Sequence, residues 1–372
     1  MSRPIRVMVV DDSIVFRSWL LRVISDDPRF EAVGCADSAM DAERKIPALK
    51  PDVLTLDIEM PGMNGIEFLQ RLLPVHPLPV ILVSSLNLRV FDALAAGAVD
   101  FVRKPDAETG VTREAFAMSL KAKLVMAASA RVHLPASSVS CQTILERAAK
   151  RQARPAAGAL SSPASSAGRQ EPLIAIGAST GGTEAILEVV RCLPPQTPGI
   201  VVTQHMPAGF TKMYAERLSR LCRMEVREAQ NGDHVRRGLI LIAPGGLQMR
   251  VVALGGSYTV SIAPGEKVNG HAPSVDVLFD SVAKHAGSNA IGVLLTGMGA
   301  DGAAGLLRMR KNGAYTIGQD KATCVVYGMP MEAWKIGAVC KQLPLNGIAQ
   351  AILEQAGVAY RAPHASPGST RS

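Results

Sequence analysis

Short β-rich runs alternate with stretches of helical spacing along most of the chain. Arg6–Val10, Glu31–Cys35, Val53–Leu56, Val80–Val83 and Val99–Val102 read as strands. Between them, segments such as Ile14–Ser25 and Gly65–Leu73 have helical periodicity. A second series begins near Glu171, with apolar runs at Leu173–Ile176, Ile200–Thr203, Leu239–Ala243, Ala290–Leu295 and Tyr315–Ile317. Within it, Gln248–Ala263 reads as a hairpin turning at Gly255-Gly256-Ser257. Repeated βα units imply an α/β protein whose parallel sheets are covered on both faces. The expected fold is therefore a five-stranded flavodoxin-like domain, then a doubly wound, mainly parallel α/β domain carrying an antiparallel hairpin.

With 372 residues and 48% apolar content, the chain can bury two cores. The expected boundaries are 1–128 and 171–360. Residues 129–170 include the Ala/Ser/Pro-rich stretch 153–169, which reads as a flexible basic linker, and residues 361–372 read as a disordered tail. No apolar run is long enough to span a membrane, and the opening MSRPIRVMVVDD lacks a leader's apolar region and cleavage site. The six cysteines form no CxxC pair, which favours a reduced cytoplasmic protein over a disulfide or zinc framework. Net charge is +8, but nine Lys/Arg against three Asp/Glu between Thr112 and Glu171 place most of the excess near the linker. That distribution disfavours nucleic-acid binding.

Two groups of residues carry candidate chemistry. Asp11 and Asp12 end the first strand and Asp57 the third. Neighbouring parallel strands bring these carboxylates to one rim, where their repulsion calls for a hard divalent cation such as Mg²⁺. Ser84 and Lys104 follow the fourth and fifth strands and offer a hydroxyl and an ammonium to the same rim. The motifs VVDDS, LDIEMPGMNG, LVSS and FVRKP, in this order and spacing, resemble those of response-regulator receiver domains over residues 4–125. The resemblance implies that Asp57 accepts a phosphoryl group from a histidine kinase. It also implies that Asp12, Asp57 and the Glu59 backbone carbonyl hold Mg²⁺ with Asp11 in support, and that Ser84 and Lys104 bind phosphoryl oxygens. Phe101 stands where receivers often carry a switch aromatic.

The second group starts at GASTGG, residues 177–182, a glycine-rich turn between an apolar run and a helical stretch. Such a turn exposes a nucleophilic serine, binds a phosphate or simply turns the chain. His205 follows a strand, with His76, His234, His271 and His285 as competitors; Asp301 lies in LTGMGADG, where it could equally cap the following helix. Ser179, His205 and Asp301 all fall at carboxyl ends of expected strands, so they can meet on one rim. A neutral imidazole there takes the serine proton and returns it to a leaving alcohol, while the aspartate fixes its tautomer. Thr180, Gly181, Gly182 and Met298 are the candidate oxyanion donors or supports. The order serine, histidine, aspartate differs from the serine, acid, histidine order of α/β-hydrolases.

Over residues 171–357 the motifs IGASTGGTEA, VVTQHMPAGFT, LIAPGG, HAPSVDVLFDSVA and VLLTGMGADGAAGL resemble the catalytic domain of chemotaxis protein-glutamate methylesterases. The receiver–linker–esterase order is also similar. This resemblance implies a Ser179–His205–Asp301 triad with no cofactor for ester hydrolysis, acting on γ-glutamyl methyl esters of chemoreceptor helices and, in many relatives, on receptor glutamines. Gly270 departs from the bulkier residue expected there. The alternatives are a non-enzymatic regulator whose second domain binds a partner, and a nucleotide-binding output, which the missing GxxxxGK[ST] loop disfavours. No helix-turn-helix signature supports a DNA-binding output.

Overall fold

The computed structural model describes residues 3–85, 88–106, 112–132, 141, 143 and 171–358. Most of the expected linker and the whole expected tail lie outside the described residues. The N-terminal sheet comprises β1 (Ile5–Val10), β2 (Phe30–Ala36), β3 (Val53–Leu56), β4 (Val80–Ser84) and β5 (Asp100–Arg103), all parallel, in the order β2-β1-β3-β4-β5. β3 and β4 are buried throughout, as strands covered on both faces must be. Polar caps start the flanking helices. Ser13 accepts from the Phe16 amide ahead of Ile14–Ser25, and Asn64 accepts from the Ile66 and Glu67 amides ahead of Gly65–Val75.

The C-terminal strands are β6 (Leu173–Ala178), β7 (Ile200–Gln204), β8 (Glu225–Glu228), β9 (His234–Val235), β10 (Leu239–Ile242), β11 (Gln248–Leu254), β12 (Ser257–Ala263), β13 (Ala290–Leu294), β14 (Tyr315–Gln319) and β15 (Lys341–Leu343). Seven form a parallel sheet in the order β15-β14-β13-β6-β7-β10-β8, while β11-β12-β9 form a separate antiparallel sheet. β6 lies between β7 and β13. The loops after these three strands therefore diverge around one crevice, where such sheets place ligands. The hairpin turn is shorter than expected: Ser257 already pairs with Leu254, so Gly255 and Gly256 alone make it. β8, β9 and β15 are short or carry alternating charge and had no apolar run to announce them.

The two halves touch through aromatic side chains. Phe101 meets Phe210 with ring centroids 4.5 Å apart, Phe91 meets Tyr214 at 5.5 Å, and the Arg217 guanidinium lies over Phe91. The cysteine reading needs correction. Cys141 and Cys192 form a disulfide across 51 residues of sequence. Their Cα atoms are 4.9 Å apart, and folding rather than a spacing motif creates that proximity.

Candidate active site and phosphoryl-acceptor site

The N-terminal rim assembles as a compact acidic pocket. Ligand oxygens of Asp11, Asp12 and Asp57 all lie within 4.8 Å of one another, with Asp11 and Asp57 buried and Asp12 exposed. Lys104 Nζ lies 2.5 Å from Asp57 Oδ2 and 3.1 Å from Asp11 Oδ2. Burial would lower the Lys104 pKa, but the two carboxylates outweigh it and hold it above its ordinary value. Burial raises the Asp57 carboxyl, and Lys104 only partly offsets it. The Ser84 hydroxyl is buried without a hydrogen-bond partner. Three converging carboxylates and one ammonium leave excess negative charge, a donor set suited to Mg²⁺, and the unpartnered hydroxyl adds a polar group beside it. Glu59 donates its N–H to Asp57 Oδ1, which turns the segment after β3 around the pocket.

The C-terminal rim centres on a buried histidine–aspartate pair. Ser179 follows β6, with its N–H donating to the Thr296 carbonyl at 3.0 Å and its carbonyl accepting from Gly182 N at 2.7 Å and Gln204 Nε2 at 2.9 Å. Gly181 has φ 74°, and a Cβ there would lie 2.7 Å from Val325, so only glycine fits this turn. Gly182 spends its N–H on Ser179, so it supports the turn rather than donating to an oxyanion. The N–H groups of Thr180, Gly181 and Met298 make no backbone hydrogen bond among the described residues.

His205 follows β7, and its Nε2 lies 2.8 Å from Asp301 Oδ2. The side chains are 6% and 2% exposed. His205 Nδ1 is buried with no partner. Asp301 does not cap the helix that follows it, Ala303–Lys311, whose cap is Gly302. It instead accepts from Val275 N at 2.7 Å and Asp276 N at 3.2 Å, at the start of the helix Val275–His285. Ser274 Oγ and Asn269 Nδ2 each donate to Asp301 Oδ1 at 2.8 Å. Burial alone would raise its carboxyl, but the donors His205, Asn269 and Val275 hold it well below the carboxylate range.

Several contributors to this rim were not singled out by sequence reasoning. His271, weighed only as a competitor, stacks on His205 with centroids 3.6 Å apart and planes within 10°. Burial and the neighbouring His205 lower its pKa to about 4, so it is neutral near pH 7. From the N-terminal half, Asp100 Oδ2 accepts a 2.6 Å hydrogen bond from Thr180 Oγ1, beside Ser179, and Asp100 Oδ1 binds Lys123 Nζ at 2.6 Å. Arg131 N donates to the Val325 carbonyl.

The profile of the CheB methylesterase family matches residues 174–352, and that of the response regulator receiver domain matches residues 7–114. A protein-glutamate methylesterase/protein-glutamine glutaminase of Syntrophomonas wolfei is 53% identical over 350 residues, spanning 94% of this chain and 97% of that protein. The chain belongs to this methylesterase/glutaminase family. A second member, from Pseudomonas aeruginosa, is 47% identical over 95% of this chain and 97% of its own. The crystal structure of the Thermotoga maritima CheB methylesterase catalytic domain is 37% identical, covers 50% of this chain and 98% of its own, and superposes with a TM-score of 0.49. As a family member the chain joins a receiver domain to a methylesterase domain. Among the described residues no helix is long and apolar enough to cross a membrane.

Proposed function

We propose that this chain hydrolyses glutamate γ-methyl esters on the cytoplasmic helices of chemoreceptors, under control of phosphorylation at Asp57. The observation that carries the reaction is the buried His205 ring, with Nε2 held by Asp301 and Nδ1 without a partner. With Nε2–H donating to Asp301, Nδ1 carries the basic lone pair. It takes the Ser179 proton as Oγ attacks the ester carbonyl. The tetrahedral oxyanion is held by N–H groups of Thr180, Gly181 or Met298. Collapse expels methanol, which takes the proton from His205 and leaves an acyl-serine. Water, deprotonated by the same nitrogen, then releases glutamate and regenerates Ser179. Asp301 stabilises the transient imidazolium, and neutral His271 adds no competing charge against its face. A receptor glutamine forms the same acyl-enzyme with loss of ammonia.

In the receiver, Asp57 accepts the phosphoryl group from a chemotaxis-type histidine kinase, which makes a histidine–aspartate relay with this chain. Asp11, Asp12, Asp57 and the Glu59 carbonyl would hold Mg²⁺, which would supply positive charge to offset that of the phosphoryl group. Ser84 and Lys104 bind its oxygens. Lys104 must then leave its present contact with Asp57, and β5, which ends one residue before Lys104, carries both Asp100 and Phe101. Phosphorylation thereby loosens the Thr180–Asp100 and Phe210–Phe101 contacts and opens the catalytic rim. The test is methanol release from methylated receptor membranes. The proposal requires loss of release in Ser179→Ala; undiminished release in that variant would mean that another residue is the nucleophile.

A further inference from the structure

Residues 268–271 form a two-residue turn beside the catalytic rim. Val268 and His271 exchange both backbone hydrogen bonds, and Asn269 and Gly270 between them have φ 53° and 83°. Positive φ at both central positions is what a type I′ turn requires, and Asn-Gly is its preferred pair. The turn carries the stacked His271 ring. It also aims the Asn269 amide at two buried carboxylates: Nδ2 donates to Asp301 Oδ1 and to Asp276 Oδ2, both at 2.8 Å. Asp276 is 7% exposed and its other oxygen accepts from Gly305 N at 2.6 Å.

We propose that Asn269 is a positioning residue of the catalytic rim, whose one amide group holds Asp301 and Asp276 side by side so that Asp301 keeps its other oxygen on His205. Two buried carboxylates this close repel, and each needs donors to remain in place. An amide –NH₂ has two hydrogens and no charge, so it serves both without displacing the His205 proton. A cationic residue there would compete with His205 for Asp301. The other titratable groups around this cluster are His271, Lys267 on the same loop, Asp280 one helical turn on from Asp276, and Lys123 from the receiver helix Arg113–Ala127. None of these has a hydrogen bond to Asp301.

The proposal rests on the reading of Ser179, His205 and Asp301 as the reacting groups, and two readouts separate its fate from that of the esterase reading. The full chain, treated with acetyl phosphate and Mg²⁺, is assayed for methanol release from methylated receptor membranes and for phosphonylation of Ser179 by a fluorophosphonate. Asn269→Gly keeps the positive φ without strain and removes only the amide. Both rates are expected to fall about ten- to hundredfold, the range for losing a hydrogen bond to a charged group, with KM for the receptor unchanged. Asp276→Asn gives the sharper result. With Asn269 present it sets donor against donor, either at Asn269 or at the Gly305 amide, and slows both reactions. With Asn269→Gly it removes the repulsion and restores rate relative to the single glycine variant. Additive effects of the two substitutions, or a raised KM with intact kcat, would overturn the proposal. A wild-type chain that labels at Ser179 but releases no methanol refutes the esterase reading alone, and labelling still decides the role of Asn269. A wild-type chain that takes no label at Ser179 overturns both.

Discussion

The two rims of this molecule use the same topology for opposite electrostatic ends. Each lies at carboxyl ends of neighbouring parallel strands, and each centres on a buried aspartate. In the N-terminal pocket, Asp57 has Asp11 and Asp12 beside it and one ammonium to balance all three. Its carboxyl is pushed up by burial. In the C-terminal crevice, Asp301 has five donors of its own: a ring nitrogen, an amide, a hydroxyl and two backbone N–H groups at a helix start. Its carboxyl is held down despite deeper burial. The difference teaches which atoms are meant to change partners. On the proposed reading, the under-compensated rim receives a cation and a phosphoryl group. On the same reading, the saturated rim keeps one carboxylate fixed while a neighbouring proton moves.

The largest effect that would break this contrast is expected at Ser179. Ser179→Ala should lower methanol release by about 10³-fold or more while leaving acetyl-phosphate labelling of Asp57 intact, because loss of a nucleophile disables the whole catalytic unit. Equal loss of both activities would mean that the rims are not chemically separate. A smaller effect is expected at their junction. Asp100→Ala removes the acceptor of Thr180 Oγ1 and the partner of Lys123. Basal methanol release by the unphosphorylated chain should rise about three- to tenfold, the scale of one interdomain hydrogen bond. An unchanged basal rate would remove Asp100 from the interdomain control.

The smallest effect concerns stability against pH. His271 is held at about 4 in the folded chain, below the ordinary value of about 6.5. Between these values the unfolded chain binds more protons, so stability should fall as pH drops from about 6.5 towards 4. His271→Gln should flatten that part of the thermal-midpoint profile. Asp301 acts on a more acidic window, since its depressed pKa adds stability above the ordinary carboxylate value that is lost on further acidification. The two variants Asp301→Asn and His271→Gln should therefore alter different portions of the curve.

Much of this was legible in the chain itself. The apolar runs located ten of the parallel strands to within a residue or two, because strands of a sheet covered on both faces are rich in apolar residues. The placement of Ser179, His205 and Asp301 after such runs pointed to one rim. What the pattern hid was anything set by distance across the fold. Cys141 and Cys192 carry no spacing motif. Asp100 sits at the start of a strand, where its charge reads as solvated, yet it meets Thr180 from the other half of the chain. His271 looked like one histidine among several until its stack on His205 was seen. A local signal did exist beside it: Asn269-Gly270 is a preferred type I′ pair, and reading it as a turn would have brought His271 back towards the rim.

The central claim is that charge arriving at the acidic rim releases chemistry at the catalytic one. The direct measurement is methanol release from methylated receptor membranes by the full chain, with and without acetyl phosphate and Mg²⁺, for the wild type and Asp57→Asn. The account predicts that the phosphodonor accelerates the wild type and has no effect on Asp57→Asn. Equal acceleration of both chains, or none in a wild type shown to be phosphorylated, would contradict it.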